Sequence, residues 1–359
     1  MVTMLDCIKR TPEKIREIVA NADVNTDAMI RKLGEDVKKL KKIIVIGSGS
    51  SNNGPVTAQL FMEKASGLEV QVYLPNDFRK KTVYPEDAVY VFVSQSGTST
   101  LVEKEAAMAA EKGLHTVSVT EKEGTPLALL TESHVVMGCG YEEYGYRTVG
   151  VCCTIMTLQV IALRIGLERG YITVSEYQEY LRDALKAAEN HPIIVEKALK
   201  WFDDNVETLK GCKCLLYYGA GALKGVAVEG ALKLLETAKV YKSVGYEAED
   251  GLHGPNLGMD KGDVIVSLNE GGMDDFYAVS VARFAKAELG GGFVVGANTL
   301  DEADLPFECA SENFRAIEFA PVVQVIAYKL AVVNDIPVIE IAKRQPHVSA
   351  KYFQMHDVK

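Results

Sequence analysis

The chain has 359 residues, 48% hydrophobic and 25% charged, a globular balance and length enough for about two domains. These figures exclude a disordered chain, a collagen-like repeat and a disulfide scaffold. The formal net charge of −10, with scattered lysines, excludes a nucleic-acid surface, so an anionic ligand must be held by local donors.

Residues 11–40 repeat apolar positions at helical spacing and predict one or two lead-in helices. Lys42-Ile-Ile-Val-Ile-Gly47 then reads as a strand buried in a parallel sheet. A Gly/Ser loop follows, and a helix to about Ala65. Further strands are predicted at 69–74, 88–94, 115–120 and 134–139, with a helix over 99–112. Two long helices, 148–168 and 174–206, close this half. Cys214-Leu-Leu-Tyr-Tyr-Gly219 restarts the plan: a glycine turn, a helix over 226–238, strands at 263–268 and 292–296, and helices over 275–289 and 321–333. Gly47 and Gly219 lie 172 residues apart, and Ser94 and Ser267 lie 173 apart, which reads as a tandem duplication in register. The fold class is therefore α/β, with two parallel sheets flanked by helices.

Cys7, Cys139, Cys152, Cys153, Cys212, Cys214 and Cys309 are odd in number and read as reduced thiols in a cytoplasm. Cys152-Cys153 reads as core. Cys212-x-Cys214 lacks the second Cys/His pair a zinc site needs, so no metal and no cofactor is expected. Met1 to Ile8 has no basic start before an apolar stretch, and the apolar runs fall short of the ~20 residues that span a bilayer. The expectation is a soluble, cytoplasmic protein without a membrane or nucleic-acid partner.

Ligands of open parallel sheets bind beyond the carboxyl ends of the strands. Two loops there are rich in hydroxyls: Gly47-Ser-Gly-Ser-Ser-Asn-Asn-Gly54, and Ser94-Gln-Ser-Gly-Thr-Ser-Thr100 between a strand and a helix. Backbone amides, a helix dipole and Ser/Thr donors together suit a phosphate. The bland alternative makes Thr98 or Ser99 a helix cap and the glycines mere turn residues. A dinucleotide fingerprint is poorly met, with Asn52 in the third glycine's place and Asp77 far along, and no Gly-Lys-Ser/Thr forms a P-loop.

Gly49-Ser-Ser-Asn-Asn-Gly54, Ser94-Gln-Ser-Gly-Thr-Ser99, Glu229-Gly-Ala-Leu-Lys-Leu-Leu-Glu236 and Asp250-Gly-Leu-His-Gly-Pro-Asn256 together resemble the sugar isomerase (SIS) family. The pattern is similar to the isomerase half of glucosamine-6-phosphate synthase and to fructosamine-6-phosphate deglycases. The resemblance covers about residues 40–352 and implies two tandem SIS domains, each a flavodoxin-like three-layer sandwich. It divides the chain into N-terminal helices (1–40), a first SIS domain (41–170), connecting helices (171–206), a second SIS domain (207–340) and an active-site tail (341–359).

By the same resemblance, Gly49, Ser51, Ser94, Gln95, Ser96 and Ser99 hold a sugar 6-phosphate. Lys233 orients the sugar, Glu236 is the catalytic carboxylate, and His253 opens the ring, reaching a neighbouring subunit's site. Gln345-Pro-His-Val-Ser-Ala-Lys351 looks like the synthase's terminal loop, whose lysine would be Lys351. His347 and Tyr352 are further candidates. Homodimers or larger homo-oligomers with shared sites are implied. No glutaminase half is expected in residues 1–40, which favours a deglycase releasing glucose 6-phosphate and an amine. Glucosamine-6-phosphate deamination, aldose–ketose isomerisation and a sugar-phosphate sensor stay open.

Proton transfer between adjacent sugar carbons needs a base, a ring-opening acid/base and a cation near the developing enediol oxygen. Glu236, His253 and a lysine are those three types. Lys233 and Glu236, three apart, share a helix face. The alternatives are a solvated surface pair for Lys233 and Glu236, a structural role for Glu229, and a capping role for His253.

Overall fold

The computed structural model describes residues 2–356, the side chains of residues 345 and 346 excepted. Helices α1 (Met4–Ala20) and α2 (Ala22–Leu33) lead in. The first half then runs β1 (Lys42–Gly47), α3 (Ser50–Ser66), β2 (Glu69–Tyr73), α4 (Pro75–Phe78), β3 (Ala88–Val93) and α5 (Thr100–Glu111). It continues with β4 (His115–Thr120), α6 (Pro126–Leu130), β5 (Ser133–Val136) and α7 (Val149–Glu168). Helices α8 (Val174–Asp204) and α9 (Val206–Gly211) lead on to β6 (Cys214–Gly219), α10 (Ala222–Thr237), β7 (Lys242–Glu247) and β8 (Asp263–Asn269). Last come α11 (Asp275–Phe284), β9 (Gly292–Gly296), β10 (Leu305–Pro306), α12 (Arg315–Val333) and α13 (Val338–Tyr352).

Two compact units divide this chain. One takes Glu13–Arg182 with the stretch from Ile339; the other takes the segment up to Pro12 with Asp183–Val338. In the first, five parallel strands run in the order β2-β1-β3-β4-β5. Strand β3 is buried along its whole length, as a strand covered on both faces must be. Alternation puts Ile44, Ile46, Tyr90 and Phe92 on one face, where they pack with Phe78 of α4 and Val102 and Ala106 of α5. The Phe78 ring meets Tyr90 and Phe92 edge-on at 5.9 and 6.0 Å. Helices α3 and α7 pack against each other.

The second unit repeats the plan as β10-β9-β8-β6-β7, again all parallel. The turn geometry repeats too. Gly49 (φ 58°, ψ −132°) precedes α3, and Gly221 (φ 53°, ψ −126°) precedes α10, both in conformations open to glycine alone. A Cβ on Gly47 would lie 2.1 Å from the Ser51 carbonyl oxygen, and one on Gly219 2.4 Å from that of Leu223. The register corrects one expectation, however. Gly47 pairs with Val93 and Gly219 with Leu268, so Asn269, not Ser267, is the counterpart of Ser94. Ser267 is a fully buried residue inside β8.

Three further expectations change. Strand β7 was not foreseen, because Lys242–Glu247 lies at a sheet edge and is mostly half-exposed. Residues 345–351, expected as a loop, lie within helix α13 (Val338–Tyr352). Helices α7 (20 residues) and α12 (19 residues) do reach the length and apolarity of a bilayer crossing. They are core helices, with all of the α7 window and 78% of the α12 window buried.

All seven cysteines are unbridged. Burial pushes the Cys139, Cys212 and Cys309 thiols up to about 12, so they are poor nucleophiles.

Candidate active site

In the unit of residues 13–182, two loops carry the expected phosphate donors at the carboxyl ends of β1 and β3. Ser50 and Ser51 open α3 and are buried. Ser94 follows β3 directly, its amide held by the Val119 carbonyl at 3.1 Å. The turn closes with the Gly97 amide donating to the Ser94 carbonyl at 2.9 Å. Gly97 is left-handed (φ 66°), and a Cβ there would lie 2.4 Å from Thr125.

The hydroxyls bond one another. Ser94 Oγ lies 2.9 Å from Ser99 Oγ, and Ser96 Oγ lies 3.0 Å from Thr98 Oγ1. Ser99 precedes α5, yet no side-chain cap closes that helix. The capping alternative therefore fails for Ser99, whose hydroxyl turns into the loop. Ser94 and Gln95 are buried, while Ser96, Thr98 and Ser99 keep partial exposure.

Gln95 is held by a carboxylate. Its Nε2 donates to Glu142 Oε1 at 3.1 Å, and its buried Oε1 has no partner among the described residues. Glu142 is buried and accepts three amides at the start of α7, from Thr148 (2.8 Å), Val149 (3.1 Å) and Gly150 (2.8 Å). An acidic group at a helix N-terminus is favoured by the dipole, and here it fixes Gln95 as well. Gly150 is required at this spot, since a Cβ would lie 2.0 Å from Gln95 Oε1.

Arg147 was missed by sequence reasoning. Its Nη1 donates to Ser51 Oγ from 96 positions away in sequence, so a cation stands at the hydroxyl loops. The loop before α7 carries no motif that marks it.

The C-terminal stretch comes to the same loop. The Thr100 amide donates to the Met355 carbonyl at 3.2 Å, and Ser99 and His356 form an isolated antiparallel bridge. Lys351 is exposed in the last turn of α13, its Nζ 4.9 Å from the Tyr352 ring centre. His347 and Tyr352 are exposed as well.

In the other unit, α10 carries the acid/base candidates. Lys233 has no exposed side-chain surface; its Nζ lies 3.4 Å from Glu229 Oε1 and hydrogen-bonds Glu236 Oε2. A fully buried ammonium demands such partners. The solvated-pair alternative is thus wrong for Lys233. The ammonium lies between two carboxylates of its own helix. Glu229 is also buried, while the Glu236 side chain keeps 29% exposure. Glu236 can therefore meet a ligand while Lys233 holds its orientation.

His253 stands in the loop between two 3-10 turns, Asp250–Leu252 and Pro255–Gly258. It is exposed, and its Nε2 lies 2.5 Å from Glu249 Oε1. Glu247 braces this loop by accepting the Glu249 and Asp250 amides, both at 2.8 Å.

Two parallel sheets with hydroxyl- and glycine-rich loops at their carboxyl ends define the class: a duplicated α/β protein. More narrowly, residues 37–164 match the family model of the SIS domain. It is 27% identical over 313 residues to a glutamine–fructose-6-phosphate aminotransferase (isomerizing) of Bradyrhizobium diazoefficiens, covering 83% of this chain and 50% of that protein. The chain spans about half the length of the curated relatives it matches. A candidate phosphosugar isomerase of Clostridium difficile 630 superposes with a TM-score of 0.85 at 25% identity, covering 94% of this chain and 95% of that one. The C-terminal domain of glucosamine-fructose-6-phosphate aminotransferase from Francisella tularensis shares the fold, with a TM-score of 0.76 at 21% identity and 95% and 96% coverage.

Proposed function

We propose that this chain is a phosphosugar isomerase of the SIS family that acts on a fructosamine 6-phosphate, turning it with water into glucose 6-phosphate and a free amine. The observation that carries the reading is the pair on α10, a partly exposed Glu236 hydrogen-bonded to a wholly buried Lys233. That is a carboxylate with one face for a ligand and a fixed orientation, as a proton-transferring base requires. The hydroxyl loop at Ser94–Ser99 supplies the phosphate grip. Relatives named as isomerizing aminotransferases of fructose 6-phosphate support the same substrate class.

In this reading the loops hold the phosphate and His253 assists ring opening. Glu236 moves a proton from C1 to C2 of the open-chain ketosamine, leaving an imine at C1. Water adds to that imine, and the amine departs. Lys351, in the last turn of α13, contacts the open-chain sugar, and His253 serves the site of a second copy in a homodimer.

The test is a substrate panel: fructosamine 6-phosphates of several amino acids, glucosamine 6-phosphate and fructose 6-phosphate, with each product assayed separately. Glucose 6-phosphate from an amino-acid adduct supports the deglycase and names its amine. Turnover of glucosamine 6-phosphate or fructose 6-phosphate alone makes it a deaminase or an isomerase. Binding without turnover makes it a sensor.

A further inference from the structure

The hydroxyl loops are neutral, yet a sugar phosphate at neutral pH is close to a dianion. Serines and amides can hold it, but charge-assisted donors are roughly twice as strong as neutral ones. Two basic side chains converge on these loops. Arg147, from the loop before α7, donates to Ser51 Oγ. His356, from the C-terminal stretch, is bridged to Ser99 and lies within electrostatic reach of Arg147. Met355, beside it, takes the Thr100 amide at the start of α5.

We propose that Arg147 and His356 form the cationic wall of the phosphate site, and that a dianionic ligand draws a proton onto His356 as it binds. The inference rests on the phosphosugar reading above and deepens it.

The electrostatics set the sign. His356 keeps solvent exposure, yet desolvation of its ring against the loop and the Arg147 guanidinium both hold the imidazole below its ordinary value. The loop Ser94–Thr100 offers no carboxylate to offset this. Glu121 and Glu142 lie within electrostatic reach of each other, and Glu121 feels Arg147 as well. On its own segment the charged neighbours in sequence are Asp357, Lys359 and Lys351. A dianion set between Arg147 and His356 cancels the repulsion from the guanidinium and adds an attraction. His356 is then neutral before binding and charged after it. Binding weakens as pH rises from the free-state value of that imidazole to its bound-state value, and this residue adds no further pH dependence above it.

Glucitol 6-phosphate is a fitting probe, because it has no carbonyl and cannot turn over. Calorimetry at pH 7.5, in two buffers of different ionisation enthalpy, keeps its phosphate, with a second pKa near about 6, dianionic. The expected result is net proton uptake on binding. His356→Gln should abolish that uptake, and His356→Lys, with a fixed charge, should bind without it. Arg147→Gln should weaken binding by about 10- to 100-fold, the scale of losing a charged hydrogen bond. Binding without proton uptake, or with uptake unchanged in His356→Gln, overturns the inference and leaves the phosphosugar reading standing. A wild-type chain that binds no glucitol 6-phosphate at all overturns both.

Discussion

Ser99 turns its hydroxyl away from the helix it precedes and toward Ser94, with the two Oγ atoms 2.9 Å apart. A cap serine would contribute about 1 kcal/mol to stability by satisfying an amide of the first helical turn. This one makes no such bond, so its hydroxyl serves the loop. Ser99→Ala should change the unfolding free energy by no more than about 0.5 kcal/mol. It should raise the KM for a sugar phosphate about 10-fold, the scale of one lost hydrogen bond. Denaturant unfolding and steady-state kinetics on the same variant check both halves. A loss of stability with an unchanged KM would return Ser99 to a capping role.

Glu236 presents 29% of its side chain while Lys233 fixes its other face. Glu236→Gln keeps the shape and removes the proposed base. Turnover should fall by about 10²-fold or more, with sugar-phosphate affinity within a few-fold of the parent. A rate within a few-fold of the parent would place the base elsewhere. The same variant tests the shared site. Mixed and re-equilibrated with inactive His253→Ala chains, it should regain about a quarter of parental activity, since half of the random dimers then hold one intact site. No recovery, with exchange shown by a tagged chain, would confine His253 to its own subunit.

Much of this architecture was legible because buried parallel strands are written as short runs rich in apolar, β-branched and aromatic residues. Lys42–Gly47, His115–Thr120, Cys214–Gly219 and Gly292–Gly296 match their strands, and the Gly47/Gly219 correspondence is kept by identical sterics against the following helix. Loop counts served less well. The spacing of Ser94 and Ser267 counted intervening residues, whereas register is set by which amides pair, and that brings Asn269 to the position of Ser94. Helical spacing showed that Lys233 and Glu236 share a face but not that the lysine is sealed, because burial depends on what packs against the helix. Arg147 carries no local signal, since only the folded loop brings it to Ser51.

Lys233 is also a stability residue. Its ammonium balances Glu229, which is buried with it, and Glu236. Lys233→Met keeps the length of the side chain but strands a buried carboxylate. Breaking a buried pair in this way costs about 3–5 kcal/mol. Adding Glu229→Gln should restore much of that loss, because the uncompensated charge is then gone. Urea titrations of the single and double variants measure the coupling. Equal stability of the two would show that Glu229 finds another partner.

His191 lies in α8 with no exposed surface, and neither ring nitrogen has a hydrogen-bond partner among the described residues. Burial alone pushes its pKa down to about 3, against 6.5 for the free side chain. The folded protein therefore keeps the ring neutral where the unfolded chain protonates it. Below about pH 6.5 the unfolded state binds one more proton than the folded state, and stability falls as pH drops. The slope from this residue approaches about 1.4 kcal/mol per pH unit between roughly pH 6 and pH 4. Above pH 6.5 both states are neutral and the slope vanishes. His191→Leu removes the titrating ring and two unpartnered polar atoms at similar volume. Its stability should equal or exceed the parent's at pH 7.5, and its curve should be flatter toward acid by about one proton. Unfolding free energies from pH 7.5 to pH 4.5 decide the matter, and parallel curves for the two proteins would mean that His191 gains a proton in the folded state after all.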